Sequence, residues 1–264
     1  MTLPDRLHEV LPTDTIETWE TIAPVVPETA YLVGGTAIAV HIHHRPSRDL
    51  DFFFHNDSVD LNALSAALMA TGRFAVTQRS SGTLNGLFSA TKVQFLHADE
   101  EQVQRLLEQP TPVAGLHVAG LADLLATKLK VVAQRGELRD YFDLQSIEER
   151  TGRTVDEGLG YFLARYQPPD AENQIMAIIR ALGYLDDIDE DELLPLGKDE
   201  VARYWKRRQP EVLKAAGWLT SGGSPPPPPS GPAAFPGGGE SGEEPVQPHT
   251  RGGREVRGYR RRRR

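Results

Sequence analysis

Residues 34–53 read GGTAIAVHIHHRPSRDLDFF, and these residues with their flanks decide the fold. Just before them, Tyr31-Leu32-Val33 is a short apolar run of the kind that makes a buried strand, and Gly34-Gly35 stops it. Thr36 to His43 has helical character, and Asp49 to Phe54 then alternates into a second strand. Successive strand side chains point to opposite faces, so Asp49 and Asp51, flanking Leu50, share one face. Two negative charges side by side are costly. A divalent cation such as Mg²⁺ (or Mn²⁺), held with phosphate oxygens and water, removes that cost and activates phosphoryl or nucleotidyl transfer. Taken alone, the pair is better explained as an edge strand whose acids face water. Gly34-Gly35 adds a second feature: glycines let backbone approach a phosphate, and Thr36 opens a helix whose free N–H groups would face it. A tight strand-to-helix turn is the plainer account of the same glycines.

Working outward, an N-terminal helix is expected at Asp14 to Ile22 and another at Val59 to Ala70. Three short strand candidates follow, Phe74–Arg79, Thr83–Ser89 and Lys92–His97, spaced as an antiparallel meander. From Leu121 the pattern turns helical, with helices expected at Leu121–Arg135, Leu138–Glu149, Val155–Tyr166, Glu172–Leu185 and Glu200–Ala215. The acidic string Asp186 to Glu192 reads as a solvated loop. No internal repeat is visible. The organisation expected is 1–117 as a mixed-sheet domain, 118–220 as a helical domain completing the site, and 221–264 as a tail.

That tail holds 9 Pro and 10 Gly in 44 residues and predicts disorder. It carries 8 Arg against 4 Glu, which leaves residues 1–220 with 21 Lys+Arg against 33 Asp+Glu, a net of −12. So acidic a body repels polyanions on average, and any nucleic-acid contact must use a local basic patch. The chain has no cysteine, which excludes disulfide scaffolds, thiol nucleophiles and Cys-ligated zinc. Asp5, His8 and Glu9 stand where a secretory signal needs an apolar core, and no stretch approaches the roughly 20 apolar residues of a membrane span. A cytoplasmic protein without a membrane segment is expected.

Residues 127–144, TKLKVVAQRGELRDYFDL, hold the remaining candidates. On a helix, Leu121, Leu124, Leu125 and Val132 form one apolar stripe with Lys128 in its middle, while Lys130 points elsewhere. A lysine on a buried stripe must snorkel out or meet an anion, and a triphosphate or the Asp49–Asp51 pair would supply one. Gly136 ends this helix, and Arg139, Asp140 and Asp143 lie in the opening turns of the next. Acids there complement the helix dipole, which is a sufficient structural explanation for Asp143.

A strand, Gly-Gly, a helix and then a strand bearing Asp-Leu-Asp together resemble the DNA polymerase β-like nucleotidyltransferase superfamily. More narrowly, residues 34–53 and 127–144 resemble the AbiEii/AbiGii (MenT-like) nucleotidyltransferase toxins, over about residues 28 to 215. The resemblance implies an α+β fold: a polymerase β-like mixed sheet with helices, followed by a helical half. It implies Asp49, Asp51, Lys128 and Asp140 as catalytic residues, with Asp49 and Asp51 on the metal. It also implies Gly34, Gly35, Thr36, Arg45, Ser47, Arg135, Arg139 and Asp143 as substrate-binding or supporting residues. Many superfamily members carry a third carboxylate on a later strand. Here that position is Gln94, a poor Mg²⁺ ligand. The activity implied is transfer from a nucleoside triphosphate to the tRNA 3′ end by a toxin that an antitoxin protein restrains. Transfer to a protein or small-molecule hydroxyl, or nucleotide binding without turnover, are the alternatives.

His41, His43 and His44 are expected as core or rim histidines rather than metal ligands. Arg203-Tyr204-Trp205-Lys206-Arg207-Arg208 interleaves cations and aromatics as single-stranded RNA contacts do, although an amphipathic helix with Tyr204 or Trp205 docked inward explains it better.

Overall fold

A computed structural model describes residues 3–55, 58–98 and 104–218, with four short strands between 243 and 262. The chain divides into two units, Met1–Ala233 and Ala234–Arg264.

In the first unit, α1 (Thr13–Ile22) precedes β1 (Tyr31–Val33), α2 (Gly34–Ile42), β2 (Leu50–Phe54) and α3 (Leu61–Ala70). The meander follows as β3 (Phe74–Arg79), β4 (Thr83–Phe88) and β5 (Thr91–His97). Next come β6 (Thr111–Val113), β7 (Leu116–Val118), α4 (Leu121–Arg135), α5 (Leu138–Thr151), α6 (Val155–Tyr166), α7 (Ala171–Leu182) and α8 (Lys198–Ala215). One seven-stranded sheet runs in the order β3-β4-β5-β2-β1-β7-β6. The β2–β5 and β1–β7 pairs are parallel and the others antiparallel. The meander is therefore as expected. The β6–β7 hairpin was not expected, because three-residue strands show barely one period of alternation. Its turn, Ala114-Gly115, has positive φ at both residues, the conformation of a two-residue hairpin turn.

Alternation along β2 sorts its residues by chemistry. Leu50, Phe52 and Phe54 are buried, and Phe52 stacks on Phe95 of β5 at 4.8 Å. Asp51 and Phe53 take the opposite, half-buried face. Among the helices, α4 is central: Leu121, Leu124, Leu125, Leu129 and Val132 are buried, and it packs against α2, α5, α6 and α7. Fully buried Arg165 of α6 pairs with Asp123 of α4 and donates to the Tyr31 hydroxyl of β1 at 3.1 Å. This pair fastens the helical half to the sheet, and losing one partner of such a buried pair costs about 3–5 kcal/mol.

In the second unit, β8 (Glu243–Pro245) pairs antiparallel with β11 (Arg260–Arg262), and β9 (His249–Arg251) with β10 (Arg254–Val256). The rest of the tail expected to be disordered lies outside the described residues.

Candidate active site

The β1–α2 junction owes its shape to two glycines. Gly34 has φ +71°, a region an L side chain rarely adopts, and a Cβ there would stand 3.0 Å from Oδ2 of Asp51. A Cβ on Gly35 would stand 2.5 Å from Nη2 of Arg45. The double glycine thus admits one carboxylate and one guanidinium against the backbone. Helix α2 starts at Gly34, two residues before the expected Thr36.

Above this junction opens a cleft of about 450 Å³. From the sheet half it is lined by Gly34, Gly35, Arg45, Ser47, Asp49 and Asp51, and from the helical half by Lys128, Arg135, Arg139 and Asp140. The strand and the distant helix named from the sequence therefore meet in one space. Two of the expected residues stand behind its wall. Thr36 is buried, with Oγ1 2.8 Å from Ser47 Oγ and donating to the backbone carbonyl of Asp49, so it props the loop that carries the first aspartate. Asp143 is fully buried.

Asp143 is the hub of the site's ion pairs. Arg45 Nε and Nη2 donate to its two oxygens at 2.6 and 2.9 Å, His44 Nε2 lies 2.6 Å from Oδ1, and Lys128 Nζ lies 2.9 Å from Oδ2. Burial by itself would raise this carboxyl, but the Lys128 charge, the His44 hydrogen bond and the Arg45 guanidinium hold it far below the usual range. Lys128 Nζ also donates to Asp140 Oδ1 at 2.5 Å. Burial would lower the lysine, yet Asp143 and Asp140 outweigh it and keep the ammonium charged. The anions that Lys128 meets within the chain are thus Asp140 and Asp143, not the Asp49–Asp51 pair. The other oxygen of Asp140 accepts from the backbone N–H of Glu137 at 2.9 Å, at the start of α5. With one oxygen on the lysine and one on the helix cap, Asp140 fixes where Lys128 points.

On the facing wall, Asp51 is pushed up by burial and then by the charge of Asp49, with Lys92, Lys128 and Arg139 opposing. An acid pair whose mutual repulsion and burial outweigh the nearby cations is what a bound metal ion would relieve. Gln94 pairs in parallel register with Asp51 and also lines the cleft, so the third carboxylate position is occupied by an amide. Among the described residues no group of three His, Cys, Asp or Glu could hold a metal. Two carboxylates with phosphate oxygens and water fit one Mg²⁺.

The sequence reading missed Lys92, Asp191, Leu193 and Leu194, all of which line the cleft. Lys92 lies two residues before Gln94 and so on the same strand face, which the period of two would have given. Asp191 belongs to the string read as a solvated loop, and nothing local reveals that the loop returns to the site. The histidines are core groups: His41 lies 2.7 Å from the Ala119 carbonyl, and His44 stacks on Phe142. Lys130 does point elsewhere, over the Tyr166 ring. In α8, Trp205 is fully buried and donates to the Tyr141 carbonyl, while Tyr204 and Arg208 bind Glu148. The aromatics that would stack RNA bases are therefore turned inward.

Residues 22–216 match the model of the nucleotidyl transferase AbiEii toxin family, described as a type IV toxin–antitoxin system. The chain belongs to the AbiEii family. Within reach of it is an uncharacterized protein of Aquifex aeolicus, 30% identical over 189 residues, or 70% of this chain and 88% of that one. Among solved structures, JHP933 of Helicobacter pylori is 15% identical, covers 80% of this chain and 97% of its own, and gives a TM-score of 0.48. The nucleotidyltransferase toxin MenT4 of Mycobacterium tuberculosis is 16% identical, covers 79% and 95%, and gives 0.40. Membership in AbiEii makes the chain a nucleotidyltransferase toxin and implies a nucleoside triphosphate substrate and an antitoxin partner. No helix among the described residues is long and apolar enough to cross a membrane.

Proposed function

We propose that this AbiEii-family protein transfers a nucleotide from a nucleoside triphosphate to the 3′-terminal hydroxyl of tRNA in the cytoplasm, and that a cognate antitoxin restrains it. The observation that carries the reading is the cleft in which Asp49 and Asp51 face Lys128, itself held by Asp140 and Asp143. In the reaction the acceptor oxygen bonds to the α-phosphorus, the bond from that phosphorus to the β-phosphate oxygen breaks, pyrophosphate leaves, and the hydroxyl proton passes to water. Phosphoryl chemistry of this kind depends on positioning and charge rather than on a protein nucleophile. Lys128, Arg139 and the Arg45 N–H groups not given to Asp143 or to the Pro46 carbonyl would hold the triphosphate, with Gly34, Gly35 and Ser47 beneath it and Arg135 at the rim. Asp49 and Asp51 would hold Mg²⁺, which when bound neutralises phosphate charge. Asp140 and Asp143 act as positioning residues through Lys128.

The test is incubation with each labelled nucleoside triphosphate, Mg²⁺ and total tRNA, followed by separation of RNA, protein and small molecules. Label is expected in RNA and absent with Asp49→Ala; label in RNA that survives Asp49→Ala refutes the proposal. Label on protein would instead assign a protein hydroxyl as acceptor, a reading that the acidity of residues 1–220 favours. Tight nucleotide binding without product would mean that Gln94 has left a non-catalytic site.

A further inference from the structure

An acidic protein that handles RNA needs a surface where its own charge does not repel the ligand; α8 exposes Arg203, Lys206 and Arg207, but its aromatics Trp205 and Tyr204 are engaged inward and leave no platform for bases. The sequence marks another. The stretch from Leu61 to Ala98 holds no Asp or Glu, in a chain with 37 such residues in 264; of its cations, Lys92 shares a strand face with Gln94, whereas Arg73 lies over Phe88 and pairs with Glu17, and Arg79 stands beside Leu84. The three meander strands β3, β4 and β5 lie wholly within it.

The register carries that stretch straight to the site. Asp51 stands beside Gln94, Gln94 beside Asn85, and Asn85 beside Gln78, a row running from the cleft to the sheet edge. At roughly 4.8 Å per strand the row is about 14 Å long. A parallel row sets Lys92 beside Leu87 and Leu87 beside Ala75. The opposite face buries Leu84, Phe88, Val93 and Phe95, whereas Ala75, Gln78, Leu87 and Lys92 are exposed, Leu87 by 44%. In the row, Asn85 is only 9% exposed, and its Oδ1 accepts no hydrogen bond although Nδ2 donates to Gln78 at 2.9 Å. A buried acceptor left unpaired costs about 1–3 kcal/mol, and a 2′-hydroxyl or an exocyclic amine would satisfy it.

In-line displacement fixes the direction of approach. With the triphosphate at Gly34–Gly35, which follow Val33, the β1 partner of Asp51, pyrophosphate would leave toward β1 and the acceptor would enter from the β5 side. We propose that the carboxylate-free face of β5, β4 and β3 is the docking strip for the single-stranded 3′ end of the acceptor RNA. Gln94, Asn85 and Gln78 present amides to its bases and riboses, Leu87 packs on a base, and Lys92 faces its phosphate. The inference rests on the nucleotidyltransferase reading above and adds to it where the acceptor lies.

The test is fluorescence anisotropy of a labelled single-stranded RNA with a free 3′ end, on the full chain across a salt series, with nucleoside triphosphate affinity measured by calorimetry on the same samples. Leu87→Glu, or the isosteric Gln78→Glu should Leu87→Glu fail to fold, is expected to weaken RNA binding about tenfold and to leave nucleotide affinity unchanged. Lys92→Gln is expected to reduce the salt slope by about 0.7. Lys206→Glu and Arg207→Glu on α8 should stay within about twofold of wild type. Meander variants that bind RNA as wild type does, or α8 variants that carry the loss, overturn the inference while leaving the nucleotidyltransferase reading intact. A wild-type protein that neither binds RNA nor labels it overturns both.

Discussion

Replacing Asp143 by asparagine preserves shape and removes one charge from the centre of a buried cluster. Arg45 and Lys128 then remain with a single carboxylate, Asp140, between them, and Asp140 reaches only the lysine. Breaking a buried ion pair from one side costs about 3–5 kcal/mol. For a domain of this size, with roughly 2–4 °C of thermal midpoint per kcal/mol, Asp143→Asn should lower the midpoint by about 6–20 °C. Urea denaturation of wild type, Asp143→Asn, Arg45→Met and the double variant closes a thermodynamic cycle, and the two changes should be strongly non-additive. The pH dependence has a definite sign. Burial acting alone would raise Asp143, but Lys128, His44 and Arg45 depress it, so its contribution is present above the ordinary carboxylate value of about 3.9 and is lost as pH falls below it. The stability gap between wild type and Asp143→Asn should hold steady from neutral pH to about 5 and shrink below about 4. A loss under about 1 kcal/mol at pH 7, or a gap that widens on acidification, refutes the hub argument.

Two further outcomes follow from the cleft. Asp51 is raised by burial and by Asp49, so its contribution to stability is lost as pH rises from the ordinary carboxylate value through the raised one. Metal-free Asp51→Asn should therefore melt a few degrees above metal-free wild type at neutral pH while losing transfer activity, and added Mg²⁺ should stabilise wild type alone; scanning calorimetry with and without chelator decides it. Gly35→Ala drives a methyl to 2.5 Å from Arg45 Nη2. Because that nitrogen is bound to Asp143, the clash should cost about 1–3 kcal/mol and abolish nucleotide binding, whereas a variant that melts and binds like wild type would show that Arg45 swings free.

Apart from the β6–β7 hairpin, whose strands are too short to show a period, the order of strands and helices is legible in the chain of the first unit, as are the Asp49–Asp51 pair and the buried position of Lys128, because alternation and helical stripes are local properties of consecutive residues. So is the acid-free stretch that makes the meander. What the sequence by itself left undetermined is which charges meet. Arg45 and Asp143 are 98 residues apart, and Lys128 stands opposite either set of aspartates equally well until α4 and α5 are packed. Tertiary structure alone made Asp143 the hub, turned Asp140 into the residue that aims Lys128, and brought Asp191 back to the cleft. The physical reason is that ion-pair partners are chosen by distance in space and by the cost of leaving a buried charge unpaired, neither of which leaves a periodic trace along the chain.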